Sequence, residues 1–241
     1  MTAKQVYASL RALACGERAA SLERFVQAVP GGYGEGDRLL GCTVPDQRKI
    51  ARQFRELPTN EIEKLLASPW HECRLTGLLI LVDQFEQAAK PKNPTRVSDC
   101  RIIVEFYLAN LTAVNNWDLV DSTAPKILGA WLVEHPSERD VLERLGASQV
   151  LWERRVAVLA TFPLIRKQEF TEILRLAEHL LDDTHDLMHK AIGWMLREMG
   201  KRDPSQLENF LKKYARVMPR TMLRYSIEKL SKEVRAKWMH R

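Results

Sequence analysis

Thr184-His-Asp-Leu-Met-His-Lys190-Ala-Ile-Gly-Trp194-Met-Leu-Arg197-Glu-Met-Gly-Lys201 decides the fold. It contains no proline, and its apolar residues recur at the three- and four-residue spacing of one helix face. Its opening, Leu187-Met-His-Lys190, has counterparts on either side. Trp152-Glu-Arg-Arg155 lies upstream and Thr221-Met-Leu-Arg224 downstream, and their bases stand 35 and 34 residues from Lys190. Trp70-His-Glu-Cys-Arg74 begins another such helix, with Arg74 81 residues before Arg155, room for two repeats. Stepping back 34 residues from Arg155 lands on Asp121, with Trp117 one turn before it, so the intervening repeat carries an acid where its neighbours carry bases.

A period of this length in a helical chain is that of stacked helix pairs. The expected fold is therefore all-α, a HEAT-like helical-repeat solenoid forming one domain over residues 1–241. The second helices of the pairs would line a concave groove. Arg74, Arg155, Lys190 and Arg224 would form a basic column there, with Asp121 its one acid. The same bases also suit ordinary ion pairs on helix surfaces; the shared phase favours the groove.

Helical spacing extends through the rest of the chain. Helices are predicted near 3–14, 17–29, from Pro45 through Phe54, Asn60–Leu66, Pro69–Gln87, 96–112, 117–134, 136–146, 149–163, 167–182, 204–217 and 219–237. Pro45, Pro136, Pro204 and Pro219 fall at helix starts, where a missing N–H costs nothing. Two breaks stand out, the glycine-rich stretch 30–37 and Lys90-Pro-Lys-Asn-Pro94. Trp70, Trp131, Trp152 and Trp238 are expected in the core.

Composition narrows the classes of function. The 241 residues are 45% apolar and 28% charged, with 11 Gly and 11 Pro, which excludes a disordered, collagen-like or low-complexity chain. No apolar run reaches membrane-spanning length, and the N-terminus lacks the apolar stretch of a signal peptide, so a cytoplasmic protein is expected. Cys15, Cys42, Cys73 and Cys100 are far apart, with no C-x-x-C pair, and read as scattered reduced thiols. The net charge of +6 is uneven: residues 197–241 hold 13 Lys/Arg against 5 Asp/Glu, a net of +8, and the remainder is at −2. A basic end on a nearly neutral body points to a polyanion, nucleic acid first.

Trp117 and Asp121 share a helix face, and Trp194 follows Lys190 by one turn. Two indoles, a carboxylate and the Arg155 guanidinium on the concave side would suit a cationic ligand, or a cation formed during reaction, beside a phosphate. The glycine-rich stretch follows a helix and lacks Gly-Lys-Ser/Thr, so it is no nucleotide-phosphate loop. His185 and His189 are not part of an H-E-x-x-H motif, so no metal and no organic cofactor is expected.

These residues also resemble a known family. Asn116-Trp-Asp-Leu-Val-Asp-Ser122 is similar to the W-D-x-V-D segment of AlkD-like DNA alkylation-repair glycosylases. Lys190-Ala-Ile-Gly-Trp-Met-Leu-Arg-Glu198 resembles their K-A-I-G-W-x-L-R-E segment. Leu40-Gly-Cys-Thr-Val-Pro-Asp-Gln-Arg48 and Trp152-Glu-Arg-Arg155 match two further segments, all in the family's order. The resemblance implies a HEAT-like superhelix binding duplex DNA that contains alkylated bases, as a monomer and without a cofactor. It implies excision of N3- and N7-alkylated purines, with Asp121, Trp117, Trp194 and Arg155 in the active site. Arg48, Arg74, Arg155, Lys190, Arg197 and Arg224 would contact DNA. A non-catalytic protein for bent or branched DNA would share the basic groove but be indifferent to Asp121, and a protein-interaction scaffold would carry apolar patches on the concave face in place of the basic column.

Overall fold

The computed structural model describes residues 1–240. Among them the chain is all-α; the β-type contact is one isolated bridge between Arg38 and Trp70. The chain forms two compact units, Met1–Thr123 and a second beginning at Ala124. No helix among the described residues is long and apolar enough to cross a membrane.

The first unit contains α1 (Ala3–Ala12), α2 (Gly16–Phe25), α3 (Val44–Gln53), α4 (Thr59–Leu66), α5 (His71–Ala88), α6 (Arg96–Ala109) and α7 (Trp117–Thr123). Its centre is α5, buried without interruption from His71 to Val82. The run Leu75–Val82 is buried on every side, with Thr76 its one polar side chain, as befits a helix with α3, α4, α6 and α7 packed around it. Helix starts are set by local chemistry. Thr2 and Gln5 form a reciprocal capping box on α1, and Thr43 caps α3 with Pro45 in its first turn. Asn60 falls inside the first turn of α4 rather than capping it, because Pro58 holds the extended backbone at the cap. The expected helix 17–29 stops at Phe25, since Gln27 takes a left-handed conformation at φ 54°.

The second unit contains α8 (Ala130–Glu134), α9 (Asp140–Gly146), α10 (Leu151–Ala160), α11 (Phe162–Arg166), α12 (Thr171–His179), α13 (Asp186–Gly200), α14 (Pro204–Tyr214), α15 (Arg220–Ser226) and α16 (Lys232–Met239). The predicted helix 117–134 is not continuous. Pro125 has no N–H for the ladder, and Pro125–Gly129 widens into a π turn in which Gly129 N–H donates to the Ala124 carbonyl at 2.9 Å. The predicted helix 219–237 divides likewise, with Ser231 capping a new start through Val234 N–H. Trp131, Trp152 and Trp238 are buried as expected, whereas Trp70 is half-buried against Tyr7 and Arg38.

One repeat register differs from the sequence reading. Arg74 Nη1 donates to the Ser68 carbonyl at 3.0 Å, and Arg154 Nη1 donates to the Ser148 carbonyl at 2.9 Å. Each serine hydroxyl also accepts from the backbone two residues on, from Trp70 and Val150. Glu63-Lys-Leu-Leu-Ala-Ser68 and Glu143-Arg-Leu-Gly-Ala-Ser148 align in the same frame. The structural counterpart of Arg74 is therefore Arg154, not Arg155. A one-residue shift turns a helical side chain by ~100°, enough to move it off the shared face.

A close approach of α13 to α15 explains the glycine of Lys190-Ala-Ile-Gly-Trp194. A Cβ on Gly193 would lie 2.6 Å from both the Met222 carbonyl oxygen and Tyr225 Cβ on α15. Gly193→Ala should destabilise the fold by roughly 1–3 kcal/mol by forcing α13 from α15. Urea unfolding measures this, and a midpoint equal to wild type would show that the interface yields.

Candidate functional site

The site begins with the entry of α5, where His71, Glu72 and Arg74 bring charge into the buried part of the helix. His71 is 3% exposed. Its Nδ1 lies 2.9 Å from Asp37 Oδ2 and its Nε2 lies 2.8 Å from Asp118 Oδ2. A neutral imidazole would turn a bare nitrogen lone pair on one carboxylate, so both nitrogens donate and the ring is an imidazolium. Burial by itself works against that charge, as does nearby Arg74. The hydrogen bonds to Asp118 and Asp37 and the Asp118 charge outweigh both and push the pKa up to about 9. Arg74 Nη2 also donates to Asp37 Oδ2, at 2.6 Å, and to Asn115 Oδ1, at 3.1 Å. Burial of Asp37 opposes ionisation, but the His71 hydrogen bond and the Arg74 charge hold its carboxyl below the usual range. Two cations and two anions thus balance inside the unit.

This cluster positions two backbone segments. One is the glycine-rich stretch, tied down at its end by Asp37 and continued by Leu40, Gly41 and Cys42. The N–H groups of these three donate to the Glu72 carboxylate at 2.9, 2.7 and 3.3 Å. The other is the approach to α7. Asn116 is buried and its Nδ2 donates to the Val26 carbonyl at 3.0 Å. Gly34 has to be glycine here, because a Cβ would come within 2.4 Å of that same Val26 oxygen. At the other end of α7, the Thr123 and Tyr107 hydroxyls are 3.0 Å apart and both buried.

Anchored at Asn116, Asp118 and Thr123, α7 buries Leu119 and Val120 and leaves Trp117 and Asp121 half-buried, one turn apart. Phe25 packs edge-on to the Trp117 ring at 5.0 Å between centroids and is itself 61% exposed. The Asp121 charge reaches inward as well, adding to the burial that raises the Tyr107 hydroxyl pKa against the Thr123 hydrogen bond.

The other expected residues lie in the second unit, apart from Arg48 and Arg74. Arg155 is 4% exposed and its Nη1 donates to the Leu187 carbonyl at 2.6 Å, joining α10 to the first turn of α13. Trp194, half-buried on α13, leans on Phe162 with centroids 6.3 Å apart. Lys190 pairs with Asp186 at 2.7 Å. Arg197 is held by Glu228 and has Glu198 nearby. Arg48 on α3 and Arg224 on α15 are exposed. The expected basic column is thus not uniform. Arg74 and Arg155 are interior residues that brace backbone, and Arg48 and Arg224 are open to solvent.

Sequence reasoning missed His71, Asp37 and Asp118. The legible signal was three polar residues, His71, Glu72 and Arg74, crowded directly before the apolar stretch of α5. No group of side chains among the described residues is arranged to hold a metal ion.

An all-α chain with a basic C-terminal segment and a braced helix presenting an indole and a carboxylate has the features of a nucleic-acid-directed protein. A family model described as DNA alkylation repair enzyme matches residues 6–230, and the chain belongs to that family. The fold is also that of a solved structure, a predicted DNA alkylation repair enzyme from Enterococcus faecalis. The TM-score is 0.69 at 18% identity, covering 90% of this chain and 96% of that one. No curated protein matches the sequence.

The His71 assignment has a definite pH signature. Its folded pKa is above the ordinary value, so its stabilisation is complete below about pH 6.5 and is lost as pH rises through about 9. The thermal midpoint of wild type should therefore fall between about pH 7 and about pH 10. In His71→Gln the midpoint should start lower, by an amount reflecting the roughly 3–5 kcal/mol of a broken buried pair, and lose most of that slope. Equal slopes in the two proteins would remove the charge from His71.

Proposed function

We propose that this chain, a DNA alkylation repair family member, is a DNA glycosylase that excises N3- and N7-alkylated purines from duplex DNA as a monomer. The observation that carries the reading is α7 itself. Three polar anchors, Asn116, Asp118 and Thr123, hold a seven-residue helix whose remaining face offers Trp117 and Asp121 one turn apart. A helix held this firmly can present a carboxylate without reorganising, which is the condition for electrostatic stabilisation of a transition state.

An N3- or N7-alkylated purine already carries positive charge, so it leaves as a neutral base and needs no general acid. As the glycosidic C–N bond breaks, its electron pair returns to the purine nitrogen and positive charge develops on the sugar. Asp121 stabilises that oxocarbenium-like sugar and orients the water whose oxygen bonds to C1′, the water proton passing to solvent. The Trp117 ring adds cation–π attraction to the same charge. The family resemblance assigns Trp194 a similar contact and Arg155 the adjoining backbone phosphate. The burial of Arg155 favours a bracing role, in which it fixes the start of the helix that bears Lys190 and Trp194. Arg48 and Arg224 are the exposed bases best suited to touch phosphate.

The test is release of free 7-methylguanine and 3-methyladenine from methylated duplex DNA. Wild type should release both, and Asp121→Asn should be slower by roughly 10²–10³-fold while binding DNA as before. Binding with a steep salt dependence but no release by wild type would replace this reading with that of a non-catalytic DNA-binding protein.

A further inference from the structure

The last two helices enclose a second feature that α7 and its anchors do not use. A groove of about 620 Å³ opens between α15 and α16, within the size range of small-molecule sites. Its cations are Arg224 from α15 and Lys232 and Arg235 from α16. None of the three has a carboxylate within ion-pair distance among the described residues. This is unlike other bases of the same region. Lys201 is paired to Glu198 at 2.6 Å, Lys212 to Glu208 at 2.9 Å and Lys213 to Glu178 at 3.4 Å. The one carboxylate in the lining, Glu228, is already engaged by Arg197 and, at 3.2 Å, by Lys229.

The groove is also built rather than incidental. Trp238, 4% exposed, roots α16 in the unit, and Arg220 Nη1 donates to the Met239 carbonyl at 2.8 Å, tying the start of α15 to the end of α16. Ser231 caps the start of α16 just before Lys232. The start of α15 is thus tied to the end of α16. Between the cations the lining is the apolar surface of Tyr225, Ile227 and Met239. Three exposed bases around an apolar floor match one chemistry well: a phosphodiester whose sugar lies against carbon.

We propose that the α15–α16 groove is a phosphodiester subsite that holds the DNA backbone through Arg224, Lys232 and Arg235. It extends the reading above by assigning DNA contacts to α16. It rests on DNA as the partner and is independent of whether base excision occurs. Because the site grips backbone and not base, it contributes equally to modified and unmodified duplex.

The experiment is fluorescence anisotropy of the full chain with an unmodified duplex, repeated over a range of potassium chloride concentrations. Each phosphate contact contributes about 0.9 to the slope of log affinity against log salt. The Lys232→Ala/Arg235→Ala variant should therefore lose roughly 1.8 of that slope, and Lys232→Gln alone about 0.9. Lys212→Ala/Lys213→Ala removes two bases that are already paired and should leave the slope near wild type. Thermal unfolding of each variant confirms that the fold is retained. Equal slopes for wild type and the α16 double variant overturn the proposal. So does tighter binding of poly-glutamate than of duplex DNA if the α16 substitutions abolish it, because the groove would then serve an acidic protein segment. Unmodified DNA keeps the test separate from catalysis: a chain that releases no base gives the same readout.

Discussion

The first unit depends on a buried imidazolium held between two aspartates. Asp37, His71 and Asp118 come from three segments far apart in sequence, and the ring closes them into one unit at 2.9 and 2.8 Å. Taking such charges out of water is costly, and an apolar cluster of the same volume could be as stable. What the ionic arrangement adds is direction. Apolar packing tolerates a helix rotating or sliding, whereas an imidazolium with a carboxylate on each nitrogen accepts little of either. With Asn116 and Thr123 fixing the two ends, α7 has one available orientation. Its exposed face is then set by subtraction: Leu119 and Val120 go inward, Trp117 and Asp121 do not.

The second unit is ordered by shape as much as by charge. Gly193 lets α13 approach α15 at a distance no side chain would allow, and Arg155 fastens the start of α13 through the Leu187 carbonyl. Both act on the helix that carries Lys190 and Trp194. Membership of the DNA alkylation repair family gives this economy a purpose. Along α13 the bracing Gly193 stands beside the half-buried Lys190 and Trp194. Arg74 and Arg155, both read from the sequence as DNA contacts, are buried and donate to backbone carbonyls.

The charge of the C-terminal region divides in a similar way. Net charge treats all of its Lys and Arg alike. In the fold several are neutralised by Glu198, Glu208 and Glu178, and others, Arg224 among them, face solvent. Only the unpaired ones present a field to a polyanion, so the effective basic surface is smaller and more localised than the composition implies.

Much of this was determined by the sequence alone. The three-and-four spacing of apolar residues imposes helices, and prolines mark several of their starts. The pairing of Trp117 with Asp121 follows from helical geometry wherever α7 sits. The family-like segments in order were enough to place the chain among alkylation-repair proteins. Other features were decided only in three dimensions. Proline at position 125 could have ended a helix or bent it, and the neighbouring carbonyls made it a π turn. A one-residue offset paired Arg74 with Arg154 rather than Arg155, which spacing alone does not resolve when two bases are adjacent. The His71 cluster was invisible because its members are separated by 34 and 47 residues, and no local pattern links them. Local periodicity governs which residues form a helix. Which charges are desolvated together depends on contacts between distant segments, and that is settled only when the chain has packed.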